Sequence, residues 1–480
     1  MEFEKSKGFT PSEKVLAEAA EKTFLKLWSY PNVFRDQGRS SGTGDGKEIA
    51  DLLVIFGENL IIFSDKSCYL SETDDIDLAW SRWYKRTIKK SAQQILGAER
   101  WLMRHPENIF LDKQCQCRLP IPLPSSNTWK VYRIVVATGA RKRCLKEYGG
   151  SGSLSIRPSL IGDQHTLDHS RKEKSAQSSN YKPLSIGWID PTRFIHVLDE
   201  VTLQILLGEL DTITDFVDYL NEKESLIRSG KLQFAAGEEE LLWEYLREGN
   251  NKEYCHFSID SNHRAEILSI SSGKWKAWQA KSEYKFMKIA NKRSCEFWDY
   301  LIDKVTDEVL ADRITLSGNA TSMSDIEICL RNMASEPRIT RRAIYKAFLD
   351  RKTDAESIGT CYRMFFSTVK PDIGYVFLFF QRQDNETFEE YRRKRMMLLM
   401  GLFMLYWKYN SHLKQIIGFA IQVNFSGFSD FEIGHFVPSD EFDIDQYPEE
   451  INQLKTALGL RDDAINAKGF LEIDIAASAG

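Results

Sequence analysis

The hydrophobic pattern is clearest in residues 47–68, where two apolar runs flank a short turn. Residues 49–56 and 60–63 are rich in β-branched and aromatic side chains, and Gly57-Glu58-Asn59 separates them. Short apolar runs on either side of a turn predict two buried strands joined as a hairpin. Charged residues occur at the outer ends of the two runs, so folding of the hairpin brings these charges together.

The length of the hairpin loop decides which charged residues face each other. A three-residue loop sets Asp51 opposite Asp65. A two-residue loop shifts the pairing by one residue and places Asp51 on a common face with Ser64 or Lys66. Either register brings Asp51, a second carboxylate and a lysine close together at the ends of two buried strands.

Periodic segments on both sides of the hairpin predict further elements. Residues 10–28 carry apolar side chains at helical spacing, and Thr10 with Glu13 forms a Thr-x-x-Glu capping box at the start. Residues 75–104 predict a long helix, and residues 129–138 predict another buried strand. The N-terminal part is therefore expected to be an α/β domain with a mixed sheet.

The rest of the chain divides by its pattern into a helical and an α/β part. In the C-terminal part, strands are predicted at residues 375–380 and 416–423 around a helix that begins near residue 385. A strand–helix–strand order implies parallel strands with a right-handed crossover. We predict an N-terminal α/β domain, a mostly helical middle region and a C-terminal α/β domain, at residues 1–165, 186–358 and 359–480.

Composition and charge predict a cytoplasmic protein without a membrane partner. The 480 residues carry a net charge of −5, so a surface that binds nucleic acid has to be local. The eight cysteines are scattered and form no Cys-x-x-Cys pair, which fits a reducing compartment. The polar N-terminus lacks the pattern of a signal peptide, and the longest apolar run, residues 396–407, is shorter than the roughly 20 residues of a membrane span.

The charged ends of the hairpin are the main candidates for chemistry. A carboxylate at the end of a buried strand is costly unless it is paired, hydrogen-bonded or bound to a metal. The oxygens of Asp51 and Asp65 suit Mg²⁺ or Mn²⁺, and Lys66 can stabilise charge that develops on a phosphate. The alternative is an ordinary ion pair between the ends of the two strands.

This arrangement resembles the PD-(D/E)XK restriction-endonuclease-like superfamily over roughly residues 10–165. In that superfamily a strand Asp and an acid-x-Lys on the next strand hold Mg²⁺. Asp51 matches the Asp and Lys66 matches the Lys, whereas Ser64 stands where the second acid is expected. The resemblance implies a mixed sheet flanked by helices, with Asp65 as the acid that replaces the missing one.

The resemblance also implies a metal-binding glutamate in the first helix. Glu13 extends the buried stripe of that helix, whereas Glu18 points to the opposite side, so Glu13 is the better candidate; its alternative role is the capping box. Asp65 can share an ion with Asp51 only if the hairpin register, or a bulge near Ser64, turns it to the Asp51 side, and the three-residue loop gives that register. We therefore expect that loop, and a metal set of Asp51, Asp65 and Glu13.

The activity that the resemblance implies is that of a Mg²⁺-dependent endonuclease that cleaves DNA, with a cellular role in prokaryotic anti-phage defence. Asp51, Asp65 and Lys66 are then the catalytic residues. The first alternative is a catalytically inactive nucleic-acid-binding or interaction protein on the same fold. The second is a scaffold subunit that binds no nucleic acid.

The predicted helix at residues 75–104 supplies a candidate nucleic-acid surface, which we call the basic helix. Its basic residues on one side are Arg82, Lys85, Arg86 and Lys89. A basic helix that follows the candidate metal hairpin suits the phosphate backbone of DNA, with RNA as the alternative ligand, although such charges also form plain solvated faces. The C-terminal region is expected to mediate a homo-oligomer or a contact with a partner protein.

Overall fold

The structure is a computed structural model, and it describes residues 5–36, 45–121, 123, 128–167, 181–247, 267–310, 317–318, 323–423, 431–438, 448–449, 452 and 456. The chain forms two compact units, residues 2–289 and residues 290–480, and each is a mixed α/β structure. The predicted domain boundaries at residues 165 and 358 stay predictions.

The first sheet of the N-terminal unit is mixed. Its order is β1-β2-β3-β4-β7, where β7 is the later strand His196–Leu198; β1, β2 and β3 are antiparallel, and β3, β4 and β7 are parallel. The elements from the start of the chain to residue 148 are α1 (Pro11–Trp28), β1 (Ser29–Arg35), β2 (Lys47–Phe56), β3 (Asn59–Ser67), α2 (Ile76–Tyr84), a π-helical turn (Lys85–Lys89), α3 (Lys90–Arg104), β4 (Lys130–Thr138) and α4 (Arg141–Tyr148). The predicted hairpin, the predicted helices and the strand near residue 130 are confirmed.

The start of α1 confirms the predicted cap, and its end leads straight into a strand that the sequence pattern did not predict. The Glu13 N–H donates to Thr10 Oγ1 at 3.2 Å. Leu25 departs from helical geometry with φ 60 and ψ 155. The chain then continues as β1, which pairs antiparallel with β2. This strand places its residues beside the charged end of the hairpin.

Different helices cover the two faces of the first sheet. The rings of Phe24 and Trp28 in α1 contact aromatic residues of β3 and β2, at centroid distances of 6.1 and 5.1 Å. Ile62 of β3 packs instead in a core that contains Trp80 and Ile88 from the α2–α3 segment. The strands are therefore buried on both faces, which explains why their sequences are continuous apolar runs.

Most of the described residues in the middle of the chain are helical, but this part also contains strands. Its elements, continuing in chain order, are β5 (Ser155–Ile161), a 3₁₀ turn (Gly162–His165), β6 (Ser185–Trp188), β7 (His196–Leu198), α5 (Thr202–Glu209), α6 (Ile213–Arg228), β8 (Leu232–Ala235), α7 (Glu238–Leu246), β9 (Leu268–Ile270), α8 (Lys274–Gln279) and α9 (Ser282–Leu310). Strand β7 joins the first sheet, and the others form a second sheet in the order β6-β5-β8-β9. The apolar residues 194–198 predict a strand, which is confirmed as β7, whereas β6, β8 and β9, of three or four residues each, give too few alternating positions to be recognised from the pattern.

The C-terminal unit contains a sheet with the order β10-β14-β13-β12-β11. Its elements are β10 (Ser317–Gly318), α10 (Met323–Ala334), α11 (Arg338–Ile358), β11 (Thr360–Phe366), β12 (Ile373–Phe380), α12 (Phe388–Tyr409), β13 (Gln415–Gln422) and β14 (Phe431–Phe436). The predicted parallel pair is confirmed as β12 and β13, with α12 as the crossover. The sequence of residues 449–458 also predicts a helix, and most of this segment lies outside the described residues.

Candidate functional site

The hairpin loop has two residues, so the predicted three-residue loop is wrong. Phe56 pairs with Asn59, and the register continues to Leu52 opposite Phe63. Gly57 has φ 57, the positive value that the first central residue of a two-residue type II′ turn requires. Such turns match the twist of paired strands, so the shorter loop is favoured, and the register that pairs Asp51 with Asp65 is also wrong.

The side chain of Asp51 nevertheless contacts the backbone of Asp65. The described pairing of β2 with β3 ends at Leu52, whereas β3 continues to pair with β4 as far as Ser67. The Asp65 N–H donates to Asp51 Oδ2 at 2.5 Å. The Asp51 carboxylate therefore binds a backbone donor at the point where the two strands separate.

Two glutamates and an asparagine adjoin this pair. Glu13 at the start of α1 and Glu48 in β2 both accept hydrogen bonds from Asn32 Nδ2, at 2.9 and 2.8 Å. Glu13 also accepts from the Phe9 N–H at 2.9 Å. We call Glu13, Glu48, Asp51 and Asp65 the acidic site.

Sequence reasoning did not assign Glu48 or Asn32 to the site. Glu48 lies on the same strand as Asp51, so its charge near the strand end was a usable signal. For Asn32, the only indication in the sequence is that a single amide side chain stands among the mostly apolar residues 29–34.

Burial and mutual repulsion shift the pKa values of the acidic site. Burial raises the pKa of Asp51 to about 7; the hydrogen bond from Asp65 opposes this shift, and the charges of Glu48, Glu13 and Asp65 add to it. Burial also raises the pKa of Asp65; a hydrogen bond from the Ser12 side chain and the charge of Lys66 oppose this shift, and the charge of Glu13 adds to it. Like charges in a poorly solvated position are stabilised when a cation binds between them.

Glu48 and Glu13 differ in the balance between burial and hydrogen bonding. Burial raises the pKa of Glu48, with Asn32 opposing the shift and Glu13 adding to it. For Glu13, burial alone would raise the pKa, but hydrogen bonds from Asn32, Phe9 and Thr10 outweigh burial and leave it lowered. Glu13 is therefore the carboxylate of this group that is held most firmly in its charged form.

One buried oxygen of the acidic site, on a carboxylate that also interacts with the Ser12 side chain, lacks a hydrogen bond of its own among the described residues. Asp65 is 8% exposed, and its Oδ1 is buried without a hydrogen bond among the described residues. An orphaned carboxylate oxygen beside other carboxylates fits a cation ligand. Within the described part of the chain, no group of three or more His, Cys, Asp or Glu side chains is arranged to hold a metal. Mg²⁺ can bind with fewer than three protein ligands, because it keeps several waters and binds through one or two carboxylates together with substrate phosphates.

Lys66 and the basic helix lie near the same end of β3. Lys66 is half-buried, and its charge acts on the adjacent Asp65. The Trp83 indole N–H donates to the Cys68 carbonyl at 2.7 Å, which fixes α2 just beyond Lys66. The acidic site therefore adjoins a lysine and the start of the basic helix.

The basic residues of this helix differ in what they contact. Arg82, Lys85 and Arg86 are exposed. Lys89 forms an ion pair with Asp163, with Nζ and Oδ1 2.7 Å apart. All four predicted side chains thus reach solvent, Lys89 as part of an ion pair, and the assignment of this helix to nucleic acid stays a prediction.

No protein-family model matches this chain, and no curated protein or solved structure matches it significantly. In the described residues, none of the helices has the length and apolar character to cross a membrane.

Proposed function

We propose that this protein is a divalent-metal-dependent nuclease of the restriction-endonuclease-like type, which hydrolyses phosphodiester bonds in DNA. The observation that carries the proposal is the acidic site, where three elements bring carboxylates together and the Asp65 Oδ1 atom is buried without a partner among the described residues. A mixed sheet between α1 and the α2–α3 segment is compatible with that type of fold. Hydrogen bonds from Asn32 and from the Asp65 N–H offset part of the repulsion among these carboxylates, and a bound cation would offset more of it.

Asp51 is proposed to hold Mg²⁺ or Mn²⁺, with Asp65 and Glu13 as further ligands. Because the observed register, extended by one residue, sets Ser64 opposite Asp51, and Asp51 contacts the backbone N–H of Asp65, a shared ion would require the Asp65 side chain to turn towards Asp51. When bound, the metal would lower the pKa of a water molecule and offset negative charge on the phosphate. The ammonium group of Lys66 would neutralise charge on the phosphate next to the site. The burial of Asp65 would exclude bulk water and so strengthen these interactions.

The basic helix is proposed to bind the DNA backbone beside the acidic site. Arg82, Lys85 and Arg86 are exposed beyond the end of β3, so phosphates on either side of the cleaved bond could reach them. The proposed partner is DNA, with RNA as the alternative. A role in prokaryotic anti-phage defence, a cytoplasmic location and a C-terminal contact with a second copy or a partner protein are proposed from the sequence resemblance and pattern.

The second candidate is a catalytically inactive nucleic-acid-binding protein. Ser64, which stands where the superfamily has its second acid, favours this candidate, because a neutral hydroxyl is a poor Mg²⁺ ligand. The two-residue loop also removes the register that would have set Asp65 directly opposite Asp51. This protein would bind DNA through the basic helix without cutting it.

Plasmid cleavage separates the two candidates. We expect nicking or linearisation with Mg²⁺ or Mn²⁺, no cleavage in EDTA, and a loss of at least about 100-fold in Asp51→Ala. Glu18→Gln removes an exposed charge from α1 and should cut at the wild-type rate. Salt-sensitive DNA binding without cleavage in any of these metals would instead establish the inactive protein. Cleavage by Asp51→Ala at the wild-type rate would show that the metal assignment is wrong.

A further inference from the structure

The second sheet of the N-terminal unit has one buried face and one face that carries a charged and an aromatic side chain. Ile156 of β5 pairs with Ile186 of β6 and with Ala235 of β8, and all three are buried. Successive residues of a strand point to opposite sides of a sheet, so their neighbours Arg157 and Phe234 share the other face. Both are only half-buried, and we call this side of the sheet the outer face.

Arg157 is held against an aromatic ring on the outer face. Its Cζ atom lies over the Phe234 ring, 4.7 Å from the centroid. The Nε atom is buried and has no acceptor among the described residues. A guanidinium that stacks on a ring keeps the N–H groups along its rim for acceptors, and phosphate oxygens match their spacing. Arg157 is therefore suited to bind a phosphate group.

A second pair of a cation and an aromatic ring adjoins the first. The Nζ atom of Lys182 lies 4.2 Å from the centroid of the Tyr148 ring, and Tyr148 is 43% exposed. The Tyr148 O–H donates to the Pro183 carbonyl at 3.2 Å, which fixes the ring. Burial raises the pKa of Tyr148 to about 12, and the charge of Arg157 opposes this shift, so the two side chains are close.

The carboxylates that act on Tyr148 have partners of their own. The charges of Glu147 and Asp77 both add to the shift of the Tyr148 pKa. Glu147 forms an ion pair with Arg143, with Oε1 and Nε 2.9 Å apart, and Asp77 Oδ1 accepts from the Tyr181 O–H at 3.0 Å. These acids are therefore partly compensated, and the cations of the outer face remain able to bind an anion.

The turn Gly162–His165 connects the second sheet to the basic helix. The Trp80 indole N–H donates to the His165 carbonyl at 2.7 Å, and the His165 ring stacks on Tyr84 at 5.0 Å between centroids. The Nε2 atom of His165 accepts from the Gly187 N–H of β6 at 2.8 Å. The second sheet thus adjoins the helix on which DNA is proposed to bind.

We propose that the outer face binds unpaired nucleotides of a nucleic-acid strand, with a base stacked on Tyr148 and phosphates held by Arg157 and Lys182. A base that replaces the Lys182 ammonium group on the ring leaves this cation for a phosphate. Paired bases are stacked within a duplex and do not reach a side chain, so the ring selects single strands of DNA or RNA. Every base has a π face, so binding is independent of sequence. The inference goes beyond the proposed function, because it requires neither a metal ion nor cleavage.

The test is fluorescence anisotropy of the full-length chain in EDTA, with labelled oligo-dT and oligo-rU of about 20 nucleotides as the DNA and RNA probes. We expect roughly 5- to 100-fold weaker binding in Tyr148→Leu, which has lost the stacking surface. Tyr148→Phe keeps the ring and should bind as the wild type does. Tyr300→Leu, which replaces a similarly exposed tyrosine in the other unit, should also leave the affinity unchanged.

The salt dependence tests the phosphate contact. In Arg157→Gln, the slope of log affinity against log salt should decrease by roughly 0.7, the value for one phosphate of a single strand. Lys346→Gln, which removes an exposed charge elsewhere, should leave the slope unchanged. Lys182→Gln is the second variant, should Arg157→Gln not fold, and we expect the same decrease.

A blunt duplex probe provides the contrast. Tyr148→Leu should bind the duplex as tightly as the wild type does, and an equal loss for duplex and oligonucleotide would overturn the selection of unpaired bases. If the wild type binds the oligonucleotides and the variants at Tyr148, Arg157 and Lys182 bind them equally well, the strand lies elsewhere and the inference is overturned.

The outcomes also distinguish this inference from the proposed function. A wild-type protein that cuts plasmid with Mg²⁺ but binds neither oligonucleotide would overturn the inference alone. Oligonucleotide binding that is lost in Tyr148→Leu and retained in Tyr148→Phe supports the inference even if the protein cuts no DNA, in which case only the nuclease is wrong.

Discussion

Asp51 is under two opposite demands. Its burial favours the neutral carboxyl group, whereas the proposed metal binding requires the charged carboxylate. It lies mostly buried beside three other acids, and the hydrogen bond from Asp65 compensates only part of the burial. Its carboxyl group is therefore easier to protonate in the folded than in the unfolded chain. A group raised in this way supports folding at low pH and destabilises the folded state once it is charged.

We expect Asp51→Asn to stabilise the metal-free protein at pH 8. The pKa of Asp51 rises from 3.8 to about 7 on folding, so the stability of the wild type should fall as the pH rises through this range. The shift corresponds to at most roughly 4 kcal/mol. The advantage of the variant should be fully developed above pH 7 and should vanish towards pH 4, as measured by urea unfolding in EDTA.

Asp74→Asn is the matched control for this measurement. Asp74 is exposed in the segment before α2, and its replacement should leave the dependence of stability on pH unchanged. Parallel pH curves for the wild type and Asp51→Asn would contradict the assignment of a raised pKa to Asp51.

The basic helix shows how an element can present charge while its other side is buried. Trp80 and Trp83 are buried and stack at 5.4 Å between ring centroids, whereas Arg82 and Arg86 are exposed. The segment includes a π-helical turn, Lys85–Lys89, which changes the angular spacing of the side chains that follow. The arrangement leaves a basic surface on a rigid support.

We expect the quadruple variant Arg82→Ala, Lys85→Ala, Arg86→Ala and Lys89→Ala to bind DNA more weakly at all sequences. The slope of log affinity against log salt should decrease by roughly one for each phosphate that the protein no longer neutralises. Fluorescence anisotropy with a labelled duplex in EDTA measures this without cleavage. Replacing the exposed Lys22 and Lys346 by alanine should leave the slope unchanged, and an unchanged slope in the quadruple variant would exclude the helix from the interface.

Helix α12 packs on its sheet through two glycines. A Cβ atom on Gly418 would lie 2.4 Å from the Phe403 ring, and one on Gly434 would lie 2.9 Å from it. The paired glycines thus form a depression that the ring fills. This contact sets the distance between α12 and the strands β13 and β14.

We expect Gly418→Ala to lower the free energy of unfolding by about 1–3 kcal/mol, because the added methyl group overpacks this contact. Gly208→Ala is the control: Gly208 lies within α5, and a Cβ there meets no atom within 4 Å. That substitution should stabilise the protein by about 0.5–1 kcal/mol, since alanine favours the helix. If urea unfolding instead shows that Gly418→Ala stabilises the protein, the Phe403 ring moves aside without cost and the contact is not tightly packed.

For the whole molecule, the proposed chemistry is confined to one of the two compact units. The acidic site and the basic helix both lie in residues 2–289. The net charge of −5 gives no overall attraction to DNA, so binding depends on the local basic surface. A bound cation would reduce the repulsion within the acidic site and so stabilise the native protein.

We expect Mn²⁺ to raise the thermal midpoint of the wild-type protein at pH 8. A ligand at roughly 100 times its Kd stabilises the native state by about 2.7 kcal/mol. Asp51→Ala should show a much smaller rise, because it has lost a proposed ligand. Differential scanning fluorimetry over a range of Mn²⁺ concentrations measures both; equal shifts in the two proteins would place the bound metal elsewhere.

The sequence by itself determined the elements that depend on local pattern. The hairpin strands, α1 with its Thr10 cap, and the strand–helix–strand of the C-terminal unit follow from spacing that a few neighbouring residues set. These features are recognisable because burial of one face imposes a period of about 2.0 or 3.6 on the side chains. The candidate acids Asp51 and Asp65 were recognisable because charge at the end of a buried strand needs a partner.

Only the tertiary structure decided how these acids are arranged. One residue in the length of the loop at Gly57 changes every pairing in the hairpin, and the apolar runs fit either length. The Asn32 amide joins Glu13 and Glu48 across separations of 19 and 16 residues, through a strand that the pattern did not predict. Local periodicity records which face of an element is buried. Which distant side chains then meet depends on the pairing of strands and the docking of helices, and these are settled by the folding of the whole unit.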